Sequence, residues 1–87
     1  MNKERMLQIE ARLREELQPT SFEIEDQSHL HAGHAGAREG KGHFRVALTS
    51  TAFEGKSLIQ RHRMIYAALG ALMETDIHAL IIDARTD

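Results

Sequence analysis

Histidines gather in one short stretch of this 87-residue sequence. The glycine-rich segment HLHAGHAGAREGKGHF begins at residue 29 and holds four of the six histidines of the chain: His29, His31, His34 and His43. Imidazole is the commonest metal ligand in proteins, and it titrates closest to neutral pH. The segment therefore leaves four alternatives open, namely a metal site, a phosphate-binding loop, a pH sensor or a flexible connection.

The chain contains no cysteine. Disulfides, thiolate nucleophiles and all-cysteine zinc or iron–sulfur sites are therefore excluded within this chain. Neither HEXXH nor CxxC spacing occurs, so the sequence gives no support for a self-sufficient zinc site. Any soft metal chemistry must use histidine here and take sulfur from another molecule.

Two segments imitate phosphate loops. STAFEGKSL places a glycine-lysine-serine triplet between a predicted strand and a predicted helix, which is the order of a P-loop. However, Ser50 stands where that motif needs its first glycine, and GAREGKG precedes a strand instead of a helix. Ser28 next to His29 forms no catalytic pair, because adjacent strand residues point to opposite faces. We expect a turn at STAFEGKSL and no enzymatic activity.

A second candidate site lies in the segment KSLIQRHRMIY, which gathers Lys56, Arg61, His62 and Arg63. The seven-residue separation of Lys56 and Arg63 predicts that both lie on one helix face, where they can meet phosphates or an acidic partner. The alternative is an ordinary solvated helix face. The net charge of -2 is consistent with that alternative, so both interpretations stay open.

Hydrophobic periodicity predicts the elements that must position these residues. Residues 2–17 carry apolar side chains at helical spacing, and Pro19 stops that helix. Apolar and polar residues then alternate around Phe22 and Ile24 and again over residues 43–50, which predicts two strands. The connection between these strands is long for a hairpin, and loops of that length are functional or disordered.

A longer helix is predicted from about Lys56 to Thr75, and a last strand, Ile77 to Ala84, is apolar on both faces. The core stripe of that helix is predicted to be Leu58, Ile65, Leu69 and Leu72. Because the last strand returns after a helical crossover, we expect it to lie parallel to one of the first two. Residues 1–87 are thus predicted to form one α+β domain of order α-β-β-α-β, a three-stranded mixed sheet covered by helices.

Composition narrows the function classes. Hydrophobic residues at 41% and charged residues at 28% are ordinary for a globular protein. The slight negative charge argues against a strong, whole-surface attraction to nucleic acid or anionic membrane. No apolar run approaches the roughly 18 residues of a membrane span, and the N-terminus lacks the apolar core of a signal peptide. We expect a cytoplasmic protein that makes no membrane contact.

Four segments together resemble the BolA family: DQSHLHA, HFRVALTS, FEGKSLIQRHRMIYAAL and IHAL. They follow the family's order and spacing over roughly residues 4–86. The resemblance implies a fold related to the type II KH arrangement. It also implies a non-enzymatic partner of monothiol glutaredoxins, which forms a heterodimer with them that bridges a 2Fe-2S cluster.

The resemblance also implies the ligands of that cluster. The glutaredoxin supplies a cysteine and a bound glutathione supplies a second thiolate, so no cluster is expected on the isolated chain. The other two ligands are assigned to His78, in HAL, and to a loop histidine that matches His31. His29, His34 and His43 are alternatives to His31, because the loop offers several histidines and His43 also matches a family histidine.

DNA binding is the alternative function that the resemblance implies. The family is associated with regulation of cell morphology and stress responses, which would make this chain a transcriptional regulator that contacts DNA through residues 56–63. A KH domain clamps nucleic acid with a G-x-x-G loop, and here only Gly55 stands at that place. On its own, the chain is expected to be a monomer or a weak homodimer.

Overall fold

The computed structural model describes residues 2–28 and 42–86. Helix α1 spans Asn2–Leu17, as its periodicity predicts. The helix buries one stripe of apolar side chains: Ile9, Leu13 and Leu17. It ends because Gln18 takes a left-handed backbone conformation, with φ of 47°, immediately before Pro19.

Three strands form one mixed sheet: β1 (Ser21–Asp26), β2 (Gly42–Thr49) and β3 (Ile77–Arg85). They lie in the order β1-β2-β3, with β1 antiparallel to β2 and β2 parallel to β3. The predicted α+β class, the mixed sheet and the parallel return of the last strand are therefore confirmed. Most of the connection between β1 and β2, from residue 29 to residue 41, lies outside the described residues.

The two faces of the sheet differ in chemistry. Phe44, Val46 and Leu48 alternate along β2 and are at most 1% exposed, because they point toward the helices and form the core. The residues between them pair across the opposite face, where Arg45 lies next to Ile81 of β3. Ile81 is 52% exposed, so this second face is open to solvent.

The predicted helix of residues 56–75 is two helices, α2 (Leu58–Leu69) and α3 (Leu72–Thr75). Gly70 separates them, with φ of +55°, a conformation that side-chain-bearing residues rarely adopt. None of the described helices is long and apolar enough to span a bilayer.

The start of α2 corrects two predictions. Ser57 is the N-cap, and it forms a capping box with Gln60. Lys56 therefore precedes the helix, so the prediction that Lys56 and Arg63 share a helix face is wrong. Leu58 is 66% exposed and does not belong to the core stripe. Helical periodicity places Leu58 on the same stripe as Ile65 and does not show that its side chain is exposed.

Candidate functional site

Two histidines meet at the end of the sheet where β2 and β3 begin. His43 and His78 are each the second residue of their strand, and their ring centroids lie 4.9 Å apart with a 57° angle between the ring planes. The register shifts here, since Gly42 pairs with Ile77 and His43 pairs with Ala79. His78 is thus the extra residue of a β-bulge, a feature that re-aims side chains.

The two rings differ in exposure. His43 is 3% exposed, whereas His78 is exposed to solvent. A partner molecule can therefore reach His78 without any change of conformation. Because the His43 ring is buried, it can bind a metal only if its side chain turns toward solvent or the residues that cover it move.

The residues after β1 hold the backbone of His43. Its N–H donates to the Ser28 hydroxyl at 3.0 Å, and its carbonyl accepts from the Gln27 N–H at 2.8 Å. The Ser28 N–H in turn donates to the Asp26 carboxylate at 2.9 Å, as in an Asx-turn. This support was not predicted from the sequence, although Asp-Gln-Ser at the end of a strand is a recognisable turn signal.

Gly42 and Asp76 fix the start of the two strands. The Gly42 N–H donates to the Asp76 carbonyl at 2.9 Å. A Cβ added to Gly42 would lie 2.4 Å from the Phe44 ring, which is 1% exposed, so this position requires glycine. Neither residue was identified from the sequence, because their roles depend on pairing between distant segments.

The side chain of Asp76 ties this edge to α1. Its carboxylate accepts from the Thr75 hydroxyl at 2.5 Å and from Arg5 Nε at 3.1 Å. These hydrogen bonds, the Thr75 bond foremost, hold the pKa of Asp76 below its usual value. The residues that precede His78 are therefore anchored to the helix layer.

The chemistry of the pair fits half of a shared site. In the part of the chain that the structure describes, no group of three or more metal-binding side chains occurs. A 2Fe-2S cluster takes four ligands, and two imidazoles can replace two of its four thiolates. His43 and His78 offer two nitrogen donors, and a molecule with two thiolates would complete the set.

The predicted loop ligands are not placed by the structure. His29, His31 and His34 lie outside the described residues. The assignment of His31 as the second ligand stays a prediction, and His43 is the loop-end histidine that the structure brings to His78.

The four predicted residues around the start of α2 have different surroundings. Arg61 is half-buried and donates from Nε to the Lys56 carbonyl and from Nη1 to the Ala84 carbonyl, both at 3.0 Å. It therefore joins the start of α2 to the end of β3. Lys56 and Arg63 are exposed, and His62 is half-buried. Of the three cations, only Lys56 and Arg63 present their side chains mainly to solvent.

The segment that imitates a P-loop forms a compact turn. Ser50 is buried, and its hydroxyl donates to the Leu17 carbonyl at 2.5 Å and accepts from the Ala52 N–H at 3.1 Å. Gly55 has φ of +73°, which confirms its role as a turn residue. The Ser50 hydroxyl therefore stabilises the turn and joins it to the end of α1.

Comparison with known proteins identifies the relatives of this chain. A family model described as "BolA: BolA-like protein" matches residues 13–87. The chain is 44% identical over 87 residues to "SufE-like protein 1, chloroplastic/mitochondrial" of Arabidopsis thaliana, covering 94% of this chain and 24% of that protein. It is 40% identical over 78 residues to "DNA-binding transcriptional regulator BolA" of Escherichia coli, covering 90% of this chain and 71% of that protein.

A solved structure agrees with the fold. The BolA domain of SufE1 from Arabidopsis thaliana matches with a TM-score of 0.83 and 43% identity, covering 94% of this chain and 91% of that one. The chain spans about a quarter of the plant SufE-like relative and about half of two BolA-like relatives, from Arabidopsis thaliana and Homo sapiens.

Proposed function

Because the chain belongs to the BolA-like protein family, we propose that it is a non-enzymatic partner of a monothiol glutaredoxin. The two proteins would share a 2Fe-2S cluster for iron–sulfur cluster assembly or delivery, or for iron regulation, in the cytoplasm. The observation that carries the proposal is the pair of His43 and His78, whose ring centroids lie 4.9 Å apart in a chain without cysteine. The partner's cysteine and a bound glutathione would supply the thiolates.

His78 is the first ligand in this proposal, since it is exposed at the start of β3. The second ligand is either His31, which the family resemblance implies, or His43, which lies beside His78. When bound, the cluster would supply electron-transfer or iron-donating chemistry. The chain would hold it through neutral imidazoles, which are weaker electron donors than thiolates and are released by protonation.

Coexpression with a monothiol glutaredoxin tests the proposal. The purified complex should show visible absorbance and circular dichroism that differ from those of the glutaredoxin alone. His78→Ala should abolish that difference, and one of His31→Ala and His43→Ala should do the same. His62→Ala, a histidine on α2 outside the pair, is the matched control and should leave the spectrum unchanged. Far-UV circular dichroism of each variant checks that it still folds.

Two results would contradict the proposal. A visible spectrum that survives His78→Ala would remove the ligand assignment. A complex that forms without any cluster signal, under conditions in which the glutaredoxin alone holds one, would remove the shared cluster itself.

DNA binding is a second candidate function, and the printed name of the Escherichia coli relative favours it. The exposed cations Lys56 and Arg63 would contact phosphates, since the Arg61 guanidinium is already bound to two backbone carbonyls. A gel-shift series with a short duplex at increasing salt tests this function. Lys56→Gln and Arg63→Gln should each lower the log–log salt slope by about 1. Absence of a shift at low salt would exclude it.

A further inference from the structure

Exposed apolar side chains lie along α2, outside the histidine pair. Leu58 is 66% exposed, Ile59 is 65% exposed and Tyr66 is 41% exposed. Ile59, Arg63 and Tyr66 are spaced at i, i+4 and i+7, so they follow one face of the helix. We call Leu58, Ile59, Arg63 and Tyr66 the α2 patch. Neighbouring large apolar side chains held in solvent are typical of an interaction site.

The α2 patch lies in a stretch without carboxylates. Between Glu54 and Glu74 the sequence contains no aspartate or glutamate, although the chain as a whole carries a net charge of -2. Lys56 and Arg63 stand exposed beside the apolar side chains. A partner complementary to this surface presents aliphatic side chains together with carboxylates.

Hydrogen bonds hold the helix turn that carries Leu58 and Ile59. The Ser57 hydroxyl accepts from the Gln60 N–H at 3.2 Å, and the Gln60 side chain accepts from the Ser57 N–H at 2.8 Å. Arg61 joins the same turn to the Ala84 carbonyl at 3.0 Å. Because the backbone is already fixed, binding does not require this helix turn to become ordered.

The position of Arg61 places the start of the α2 patch away from the histidine pair. Ala84 lies six residues beyond His78 on β3, and a strand rises roughly 3.3 Å per residue, so about 20 Å separates these two residues along the strand. The start of the α2 patch, at Leu58 and Ile59, therefore lies toward the end of β3 opposite to the histidine pair.

The apolar content distinguishes a protein partner from nucleic acid. Nucleic-acid surfaces rely on cations for phosphates and on aromatic rings for stacking. Leu58 and Ile59 are the most exposed large apolar side chains at the centre of this surface, and they gain nothing from contact with phosphates. Burial against aliphatic side chains removes their surface from water, and that gain is the main source of affinity at protein interfaces.

We propose that the α2 patch docks a second protein through a segment that carries aliphatic side chains flanked by carboxylates. The segment binds while the histidine pair is in use, so the chain connects two partners at opposite ends of one sheet. This inference goes beyond the proposed cluster sharing: the docking does not depend on that sharing, and only the simultaneous use of both ends rests on it.

An NMR titration of the isotopically labelled full chain tests the docking. The probe is a synthetic amphipathic helical peptide with leucine on one face and glutamate beside it. We expect saturable shifts of the amide signals from Leu58 to Tyr66 and none at His78. Ile59→Ser should weaken binding about tenfold or more, as loss of a central apolar anchor does. Leu7→Ser is the matched control, because Leu7 is 58% exposed on α1.

The controls separate this proposal from its alternatives. A version of the peptide with serine in place of leucine should not bind, and Arg63→Gln should reduce the salt dependence of the leucine peptide. The proposal is overturned if the peptide gives no saturable shifts, or if Leu7→Ser weakens binding as much as Ile59→Ser. It is also overturned if a DNA duplex binds the patch and Ile59→Ser leaves that binding unchanged.

The same variants test whether binding at the α2 patch and cluster binding at the histidine pair are independent. Ile59→Ser should leave the visible spectrum of the glutaredoxin complex unchanged, and His78→Ala should leave the peptide affinity unchanged. Loss of peptide binding in His78→Ala, with the fold intact by far-UV circular dichroism, would overturn the claim of two separate ends. Loss of the cluster alone would count only against the proposed cluster sharing.

Discussion

The two ends of the β2–β3 pair are built in different ways. At the histidine end, one glycine and hydrogen bonds to the backbone of Gly42 and His43 set the geometry. At the other end, side chains fix the helix start: Ser57 caps it and Arg61 joins it to β3. Residue type alone therefore does not give the role. The Arg61 cation stabilises the fold, whereas the aliphatic side chain of Leu58 is exposed to solvent.

The largest loss in the free energy of unfolding is expected from Gly42→Ala, which disturbs the histidine end. The new Cβ would lie 2.4 Å from the ring of Phe44, and that ring is enclosed by the core. Overpacking of this kind typically costs about 1–3 kcal/mol, and we expect the upper part of that range in the free energy of unfolding. Urea unfolding measures it.

Gly55→Ala is the matched control, because nothing lies within 4 Å of its added Cβ and only its φ of +73° opposes the change. That strain is expected to cost about 1 kcal/mol. If Gly42→Ala proved no more destabilising than Gly55→Ala, the steric fixing of the histidine end would be contradicted.

The next effect is expected from Arg61→Met, which disturbs the patch end. The substitution keeps most of the aliphatic stem but removes the donors to the Lys56 and Ala84 carbonyls. Loss of these charged hydrogen bonds at a half-buried position should lower the free energy of unfolding by about 1–2 kcal/mol. Arg63→Met, on the exposed face, should change it by less than about 0.5 kcal/mol. Equal effects in chemical unfolding would mean that Arg61 has no special structural role.

The sequence predicted the helices and strands better than the two ends of the sheet. Hydrophobic periodicity and a proline were enough to predict α1 and the three strands to within one or two residues. The exposure of Leu58 depends on what the first turn of α2 packs against, which periodicity does not encode. The meeting of His43 and His78 depends on which strands pair in parallel and on a register shift. Such features arise from long-range packing and are not visible in local sequence.

A smaller effect is expected from Ser57→Ala, which removes the cap of α2. The Ser57 hydroxyl satisfies the Gln60 N–H, one of the amide groups that a helix start leaves without an intrahelical acceptor. Loss of such a cap costs about 1 kcal/mol. The patch should also lose amide-exchange protection, whereas Ser21→Ala, at the exposed start of β1, should leave protection at the patch unchanged. Unchanged exchange at residues 59–61 in Ser57→Ala would argue against preorganisation of the patch.

The smallest effect is expected from Asp83→Asn, on the open face next to Ala84 at the patch end. Hydrogen bonds from Arg85, with a weaker attraction from Arg45 at 3.8 Å, hold the pKa of Asp83 below its usual value. Since the folded pKa is below the unfolded value near 4, this carboxylate stabilises the fold at neutral pH. That contribution is lost as pH falls through the folded pKa.

Thermal unfolding from neutral to strongly acidic pH should therefore show a slightly lower Tm for Asp83→Asn at pH 7. The difference from the unsubstituted chain should vanish at the acid end. Glu74→Gln is the control at an exposed carboxylate outside the sheet and should show no such trend. A difference in Tm that stays constant across the whole pH range would mean that Asp83 acts through strand packing instead of charge. The charge of Asp83 would then make no contribution to the stability of the fold.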